Sequence, residues 1–168
     1  NGPEVTVIQG YRVPGTTNGG GAIRRAYLTN GAVLSGFTLT HGATRTSGDW
    51  NLDQSGGGVW CESINALVTD CTFTSNYANK WGGGAYSGML NRCTLIGNSA
   101  PYCGGAYSGT LNNCTLTGNS ATYGGGASHG TLNHCTLTGN SAFGGGGAYG
   151  GALNNCTLTG NSATYGGG

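Results

Sequence analysis

The sequence predicts an all-β protein, a right-handed parallel β-helix (β-solenoid) with about 21 residues per coil and roughly six to seven coils. Cysteine recurs with steps of 22, 21, 21 and 21 residues, at Cys71, Cys93, Cys114, Cys135 and Cys156. Around these cysteines, apolar and polar residues alternate with the period of a β-strand, and Gly-rich pairs separate the strands. No apolar stripe has the 3.6-residue period of a helix.

Composition narrows the functional classes. Glycine makes up 37 of 168 residues, yet no Gly-X-Y period runs through the chain, which excludes collagen. Charged residues are only 7 % of the chain and the formal net charge is +1. Because binding of nucleic acid requires clustered Lys and Arg, we expect no nucleic-acid partner. No apolar run approaches the roughly 18 residues of a membrane span, so no membrane span is expected in this segment.

Stacking explains the repeat, because a 21-residue unit cannot bury its own apolar face but can do so between copies about 4.8 Å away. Equivalent residues should then form columns through the interior. We expect the five repeated cysteines to be buried free thiols, while Cys61 and Cys103 lie outside their column and either form a disulfide bridge or stay free. A three-residue step between Leu111 and Cys114 indicates a bend or bulge. An asparagine column should bond the turn backbone and its own neighbours: Asn76, Asn98, Asn119, Asn140 and Asn161.

One solenoid domain is expected over 1–168, with residues 1–23 as a first coil or partial cap, 44–57 as a loop insertion and 58–168 as regular repeats. We interpret the chain as a piece of a longer protein. Open solenoid ends would either continue in that longer chain or self-associate head to tail into a filament.

Two short motifs resemble a known group. Gly104-Gly105-Ala106-Tyr107 is similar to the GGA repeats, and Leu116 through Asn119 to the F-x-x-N repeats, of polymorphic outer-membrane proteins of the autotransporter type. A tyrosine takes the place of the aliphatic residue that follows GGA in those proteins. The resemblance is specific for the fold and says little about function. The lack of catalytic residues, the periodicity and the open ends favour a non-enzymatic, extracellular or cell-surface bacterial β-solenoid that is structural or adhesive, and no cofactor is expected.

A polysaccharide lyase or hydrolase is an alternative on this fold, and it would need paired carboxylates or an acidic Ca²⁺ cluster with a base. Residues 82–168 contain no Asp or Glu, so a site would have to be assembled from the following residues: His41, Asp49, Asp53, Glu62, Asp70 and Lys80. The candidate metal ligands are Asp49, Asn51 and Asp53, which begin like a calcium loop. Gln54 and Trp60 stand where that loop needs Gly and Glu, so no metal is expected.

Outward residues offer a second alternative, a ligand-binding face. Two files of threonine resemble the ice-binding arrays of β-solenoid antifreeze proteins: Thr72, Thr74, Thr94, Thr115, Thr117, Thr136, Thr138, Thr157 and Thr159. Tyrosine forms two broken columns that would stack sugar rings of a glycan ligand or cover each other. These columns are Tyr86, Tyr107 and Tyr149, interrupted by Ser128, and Tyr102, Tyr123 and Tyr165.

Overall fold

Most strands of the protein are three residues long, and in most of these the middle side chain faces inward, as the alternation in the sequence predicts. In the segment Thr72–Thr74, Phe73 is fully buried and the flanking threonines face outward. The structure is a computed structural model that describes residue 2 and residues 6–166. Within those residues the chain is a parallel β-solenoid with no helix, which confirms the predicted fold class.

Nineteen strands make up the described part of the solenoid. They are β1 (Val7–Gln9), β2 (Ala26–Leu28), β3 (Val33–Ser35), β4 (Thr38–Thr40), β5 (Val59–Cys61), β6 (Leu67–Thr69), β7 (Thr72–Thr74), β8 (Ala85–Tyr86), β9 (Met89–Asn91), β10 (Thr94–Ile96), β11 (Ala106–Asn112), β12 (Thr115–Thr117), β13 (Ser120–Tyr123), β14 (Ala127–Asn133), β15 (Thr136–Thr138), β16 (Ser141–Gly144), β17 (Ala148–Asn154), β18 (Thr157–Thr159) and β19 (Ser162–Tyr165).

Three parallel sheets run along the solenoid. The seven-stranded sheet has the order β1-β4-β7-β10-β12-β15-β18. The nine-stranded sheet joins two sides, because β2-β5-β8 and β3-β6-β9 both pair with the long strand β11, which β14 and β17 follow. The three-stranded sheet is β13-β16-β19. All these pairings are parallel and in register one coil apart.

The number of coils is slightly lower than predicted, at about five regular turns of about 21 residues. The first of five complete coils begins at β5. The earlier strands β1 to β4 belong only to the seven-stranded and nine-stranded sheets. On the third side, parallel bridges begin only at Tyr77, which pairs with Ser99, after the loop over 44–57. In the predicted first coil, β1 pairs with β4, and antiparallel bridges follow it between Tyr11 and Ile23 and between Val13 and Thr17. Residues 1 and 3–5 of that coil, and 167–168 of the last repeat, lie outside the described residues.

The predicted bend before each cysteine is confirmed. Asn113 has a φ of 54°, in the left-handed region, and lies between the end of β11 and Cys114. The equivalent residues adopt the same conformation: Asp70, Arg92, His134 and Asn155. This backbone turn redirects the chain from the nine-stranded to the seven-stranded sheet while both Leu111 and Cys114 stay buried.

An asparagine ladder ties consecutive coils together inside the solenoid. The Asn119 side-chain amide donates to the Leu95 carbonyl and to Asn140 Oδ1, both at 2.9 Å. Its own Oδ1 accepts from the Asn98 backbone N–H at 2.9 Å and from the Asn98 amide at 3.0 Å. The pattern repeats from Asn76 to Asn161. Each buried amide is therefore satisfied by the coil before it and the coil after it.

Replacing Asn119 with alanine should lower the free energy of unfolding by about 2–4 kcal/mol, because the Leu95 carbonyl and the Asn98 N–H lose buried partners. Asn112 is the matched control, since it forms an analogous Asn–Asn ladder on the partly exposed outer surface of the same coil. Asn112→Ala should cost under about 1 kcal/mol, because water replaces the lost partners. Urea unfolding of both variants is the measurement, and equal losses would contradict the role of the inner ladder.

Candidate functional site

A file of aromatic rings runs along the outside of the nine-stranded sheet. Trp60 on β5 stacks on Tyr27 with ring centroids 4.8 Å apart and on Tyr86 with centroids 6.0 Å apart. Tyr86 in turn stacks on Tyr107 at 5.5 Å. In the next coil the register places Ser128 in the file, and Tyr149 follows it. This first file therefore lacks one ring, at Ser128.

A second file lies across the Gly-rich corner from the first one. It contains Trp81, Tyr102 and Tyr123, with centroids 6.1 Å apart at each step, then Gly144 and Tyr165. Gly144 therefore interrupts the second file one coil further along, where the neighbouring Phe143 ring contacts Tyr123 and Tyr165 edge-on instead. The corner is glycine because coils approach closely there: a Cβ on Gly104 would lie 2.4 Å from the Ser120 carbonyl oxygen.

The two files enclose a groove of about 260 Å³, which we call the aromatic groove. Rings lean across the corner, with Trp81 5.8 Å from Tyr107 and Tyr123 5.3 Å from Tyr149. The residues that line it are Trp81, Tyr102, Tyr107, Tyr123, Ser128, His129 and Tyr149. The sequence predicted both tyrosine columns but missed Tyr27, Trp60 and Trp81 as members. Tyr27 and Trp60 occupy the position of Tyr86 in earlier coils, and Trp81 occupies the position of Tyr102. Aligning aromatic residues of any type at these two positions would have found them.

The predicted threonine files lie together on the outer face of the seven-stranded sheet. Thr94, Thr115, Thr136 and Thr157 are aligned in register, as are Thr117, Thr138 and Thr159, and Ile96 interrupts the second file. In the described part of the chain, the side-chain hydroxyls of the nine predicted threonines form no hydrogen bond with another protein group. We call this surface the threonine face.

The loop over 44–57 does not bring its candidate metal ligands together. The Asp49 carboxylate accepts from the Leu52 N–H at 2.7 Å, and that of Asp53 accepts from the Asp49 N–H at 2.9 Å. Asn51 instead contacts the first aromatic file, where its carbonyl accepts from Trp60 Nε1 at 2.8 Å and its Oδ1 from the Tyr86 hydroxyl at 3.1 Å. Across residues 6–166, no group of three or more His, Cys, Asp or Glu side chains is arranged to hold a metal ion.

The comparisons with known proteins give one match. Residues 70–88 match the model of the Chlamydia polymorphic membrane protein repeat. No curated protein and no solved structure matches the chain. The chain is a β-helix protein with a repeat like that of the polymorphic membrane proteins. Such a repeat in a β-solenoid fits a surface-exposed, autotransporter-like segment. None of the described residues forms a helix long and apolar enough to cross a membrane.

Packing inside each coil explains the two motifs of the polymorphic-membrane-protein-like repeat. Its F-x-x-N part is Phe73 to Asn76, and its GGA part is Gly83-Gly84-Ala85, in the next coil. In each coil the second glycine faces the apolar and asparagine residues across the interior. A Cβ on Gly84 would lie 3.1 Å from Leu95 and 3.3 Å from Asn98. Each glycine pair therefore packs against the F-x-x-N-type residues that follow it in the same coil, as Gly58 does against Phe73 and Asn76.

The candidate catalytic residues are dispersed over separate interactions. Asp70 forms two hydrogen bonds of 2.8 Å with the Arg92 guanidinium, which hold the pKa of its carboxyl below the usual value. Glu62 accepts from the Asn30 N–H at 2.9 Å. Lys80 lies over the Trp50 ring, and His41 contacts Thr40. Of the predicted set, only Asp49 and Asp53 share one turn.

The seven cysteines are free thiols, and six of them are buried. Each thiol of the column lies near a carbonyl of the preceding coil; for example, Cys114 Sγ is 3.4 Å from the Leu90 carbonyl oxygen. Outside the column, burial raises the pKa of the Cys61 thiol to about 12 and also raises the pKa of the Cys103 thiol. Both thiols therefore stay protonated near neutral pH and serve as small apolar residues of the core.

Proposed function

We propose that this chain is a non-enzymatic structural or adhesive segment that is displayed at a bacterial cell surface. The observation that carries the proposal is the polymorphic-membrane-protein-like repeat at 70–88, which lies in a coil type that recurs in register along the solenoid. A repeated coil presents the same outward groups at regular intervals. Repetition of weak sites in this way strengthens attachment to a surface that carries many copies of a ligand.

The geometry also suits a rigid spacer. Backbone hydrogen bonds link each coil to its neighbours on all three sides, as at Thr94, Thr110 and Ser120. Because each coil adds about 4.8 Å along the axis, five coils extend the molecule by roughly 24 Å. Self-association through the solenoid ends, or continuation of the coils in a longer chain, stays a prediction.

Surface labelling tests the location. Antibodies raised against the folded chain should label intact bacteria that express the parent protein, without permeabilisation. An antibody against a cytoplasmic protein of the same cells is the control, and it should label them only after permeabilisation. If the two antibodies behave alike, the proposed surface display is wrong.

A second candidate function is ice binding by the threonine face. The observation that favours it is the register of unbonded hydroxyls on a parallel sheet. On such a sheet the hydroxyls repeat about every 4.8 Å between strands and about every 6.7 Å along a Thr-x-Thr pair. The threonine face also carries no charged side chain from β10 to β18.

If this candidate is right, the purified protein should depress the freezing point below the melting point, and Thr136→Lys should abolish most of that difference. Thr136 is exposed near the middle of the threonine face, where a lysine would disrupt the hydroxyl array. Thr122→Lys is the control, since Thr122 is exposed on β13, in a different sheet. Thermal hysteresis measured by nanolitre osmometry decides, and no hysteresis in the unmodified protein would rule out the candidate.

A further inference from the structure

Ser128 creates a ring-sized gap in the first aromatic file. Its backbone pairs with Tyr107 on one side and Tyr149 on the other, so a tyrosine in its place would continue the stack. The His129 ring lies between its two neighbours, with its centroid 5.6 Å from that of Tyr107 and 6.0 Å from that of Tyr149, at tilts of 45° and 57°. It therefore fills part of the gap without continuing the stack, and the rest of the space belongs to the aromatic groove.

The gap has apolar walls and a polar base. Tyr107, Tyr123 and Tyr149 supply ring faces and phenolic hydroxyls. At the base, the buried Ser128 hydroxyl donates to the Tyr149 carbonyl at 3.0 Å and lies 2.6 Å from His129 Nδ1. A ligand that fits these walls has flat apolar faces with hydroxyl groups at its edges.

Charge narrows the ligand further. No Asp, Glu, Lys or Arg lines the aromatic groove, and Arg92 is the one charged residue in the sequence from 82 to 168. An acidic glycan or a nucleic acid would meet no counter-charge there. The ligand chemistry that matches is that of an uncharged sugar ring.

A second gap extends the aromatic groove along the solenoid axis. Gly144 interrupts the second file, and the space beside it is about 440 Å³. The Phe143 ring lines this space and contacts Tyr123 and Tyr165 edge-on, at 6.5 Å and 5.2 Å, so it does not continue the stack. Tyr123 and Tyr149 line both gaps, so the two spaces adjoin. The pair of gaps is longer than one ring and favours a chain of sugars over a single one.

We propose that the aromatic groove binds a neutral oligosaccharide, with one sugar ring in the Ser128 gap and the next units along the Gly144 gap. As the ligand of an adhesive segment, this glycan rests on the function proposed above and specifies its partner. Its test is separate, because binding is measured on the purified chain and surface display is measured on cells.

The experiment is isothermal titration of the purified chain with chitohexaose, cellohexaose and maltohexaose, and with hexagalacturonate as an acidic comparison. At least one neutral hexasaccharide should bind, and the acidic one should bind at least about tenfold more weakly. Binding should also change the tryptophan fluorescence, since Trp81 lines the groove.

Ser128→Tyr is the decisive variant, because it gives this coil the residue of the coils on either side and fills the gap. It should weaken binding at least about tenfold while the circular dichroism spectrum and thermal unfolding stay as in the unmodified protein. Tyr123→Ala, which removes a wall of both gaps, should weaken binding similarly. The control is Tyr27→Ala in the same file, far from the gap, which should leave affinity unchanged within about twofold.

Three results would each overturn the proposal. These are no binding of any neutral hexasaccharide, equal binding by the Ser128→Tyr and unmodified proteins, or equal binding of the acidic and neutral sugars. If Ser128→Tyr does not fold, unchanged binding by Tyr123→Ala is the contradicting result. A chain that labels at the cell surface yet binds no neutral sugar would reject this site and leave the surface function standing.

Discussion

The hydrogen bonds between coils hold consecutive turns of the backbone about 4.8 Å apart, and the other features of the molecule follow from that distance. Where the chain approaches its neighbour most closely, only glycine fits: a Cβ on Gly105 would lie 2.2 Å from the Gly126 carbonyl oxygen. Inside, the same distance lets one amide of the Asn119 type bond both adjacent coils. Outside, it brings equivalent aromatic rings into stacking range, as for Tyr102 and Tyr123.

A regular solenoid shows the same surface at every coil, so departures from the repeat indicate where specific recognition can occur. Ser128 and Gly144 are such departures, since each interrupts the stack of its aromatic file, and the adjacent rings of His129 and Phe143 contact the file only at a tilt or edge-on. The loop over 44–57 is another, and it contacts the opposite end of the first file through Asn51. The loop therefore contacts the file at Trp60 and Tyr86, whereas the aromatic groove lies further along it, beside Tyr107 and Tyr149.

Sequence periodicity was sufficient to predict which residues stack, because equal spacing along the chain places side chains in one column. The bend at Asn113 and the outward threonines of β12 follow from the same reasoning. The aromatic groove was harder to predict. The loop insertion shifts the alignment around Trp60, and contacts across the corner, such as Trp81 with Tyr107, depend on how side chains lean, which periodicity does not determine. The ion pair of Asp70 with Arg92 joins neighbouring coils that differ in sequence at that position.

Distances between spin labels on the threonine face test the stacking of coils most directly. Nitroxides attached through noncanonical amino acids at Thr38 and Thr157, and at Thr72 and Thr157, leave the native thiols unmodified. The register places the two labels of these pairs five and four coils apart. Double electron–electron resonance should therefore give label-to-label distances of about 24 Å and about 19 Å. Distances that do not increase by about 5 Å per coil, or a broad distribution for either pair, would contradict the in-register solenoid.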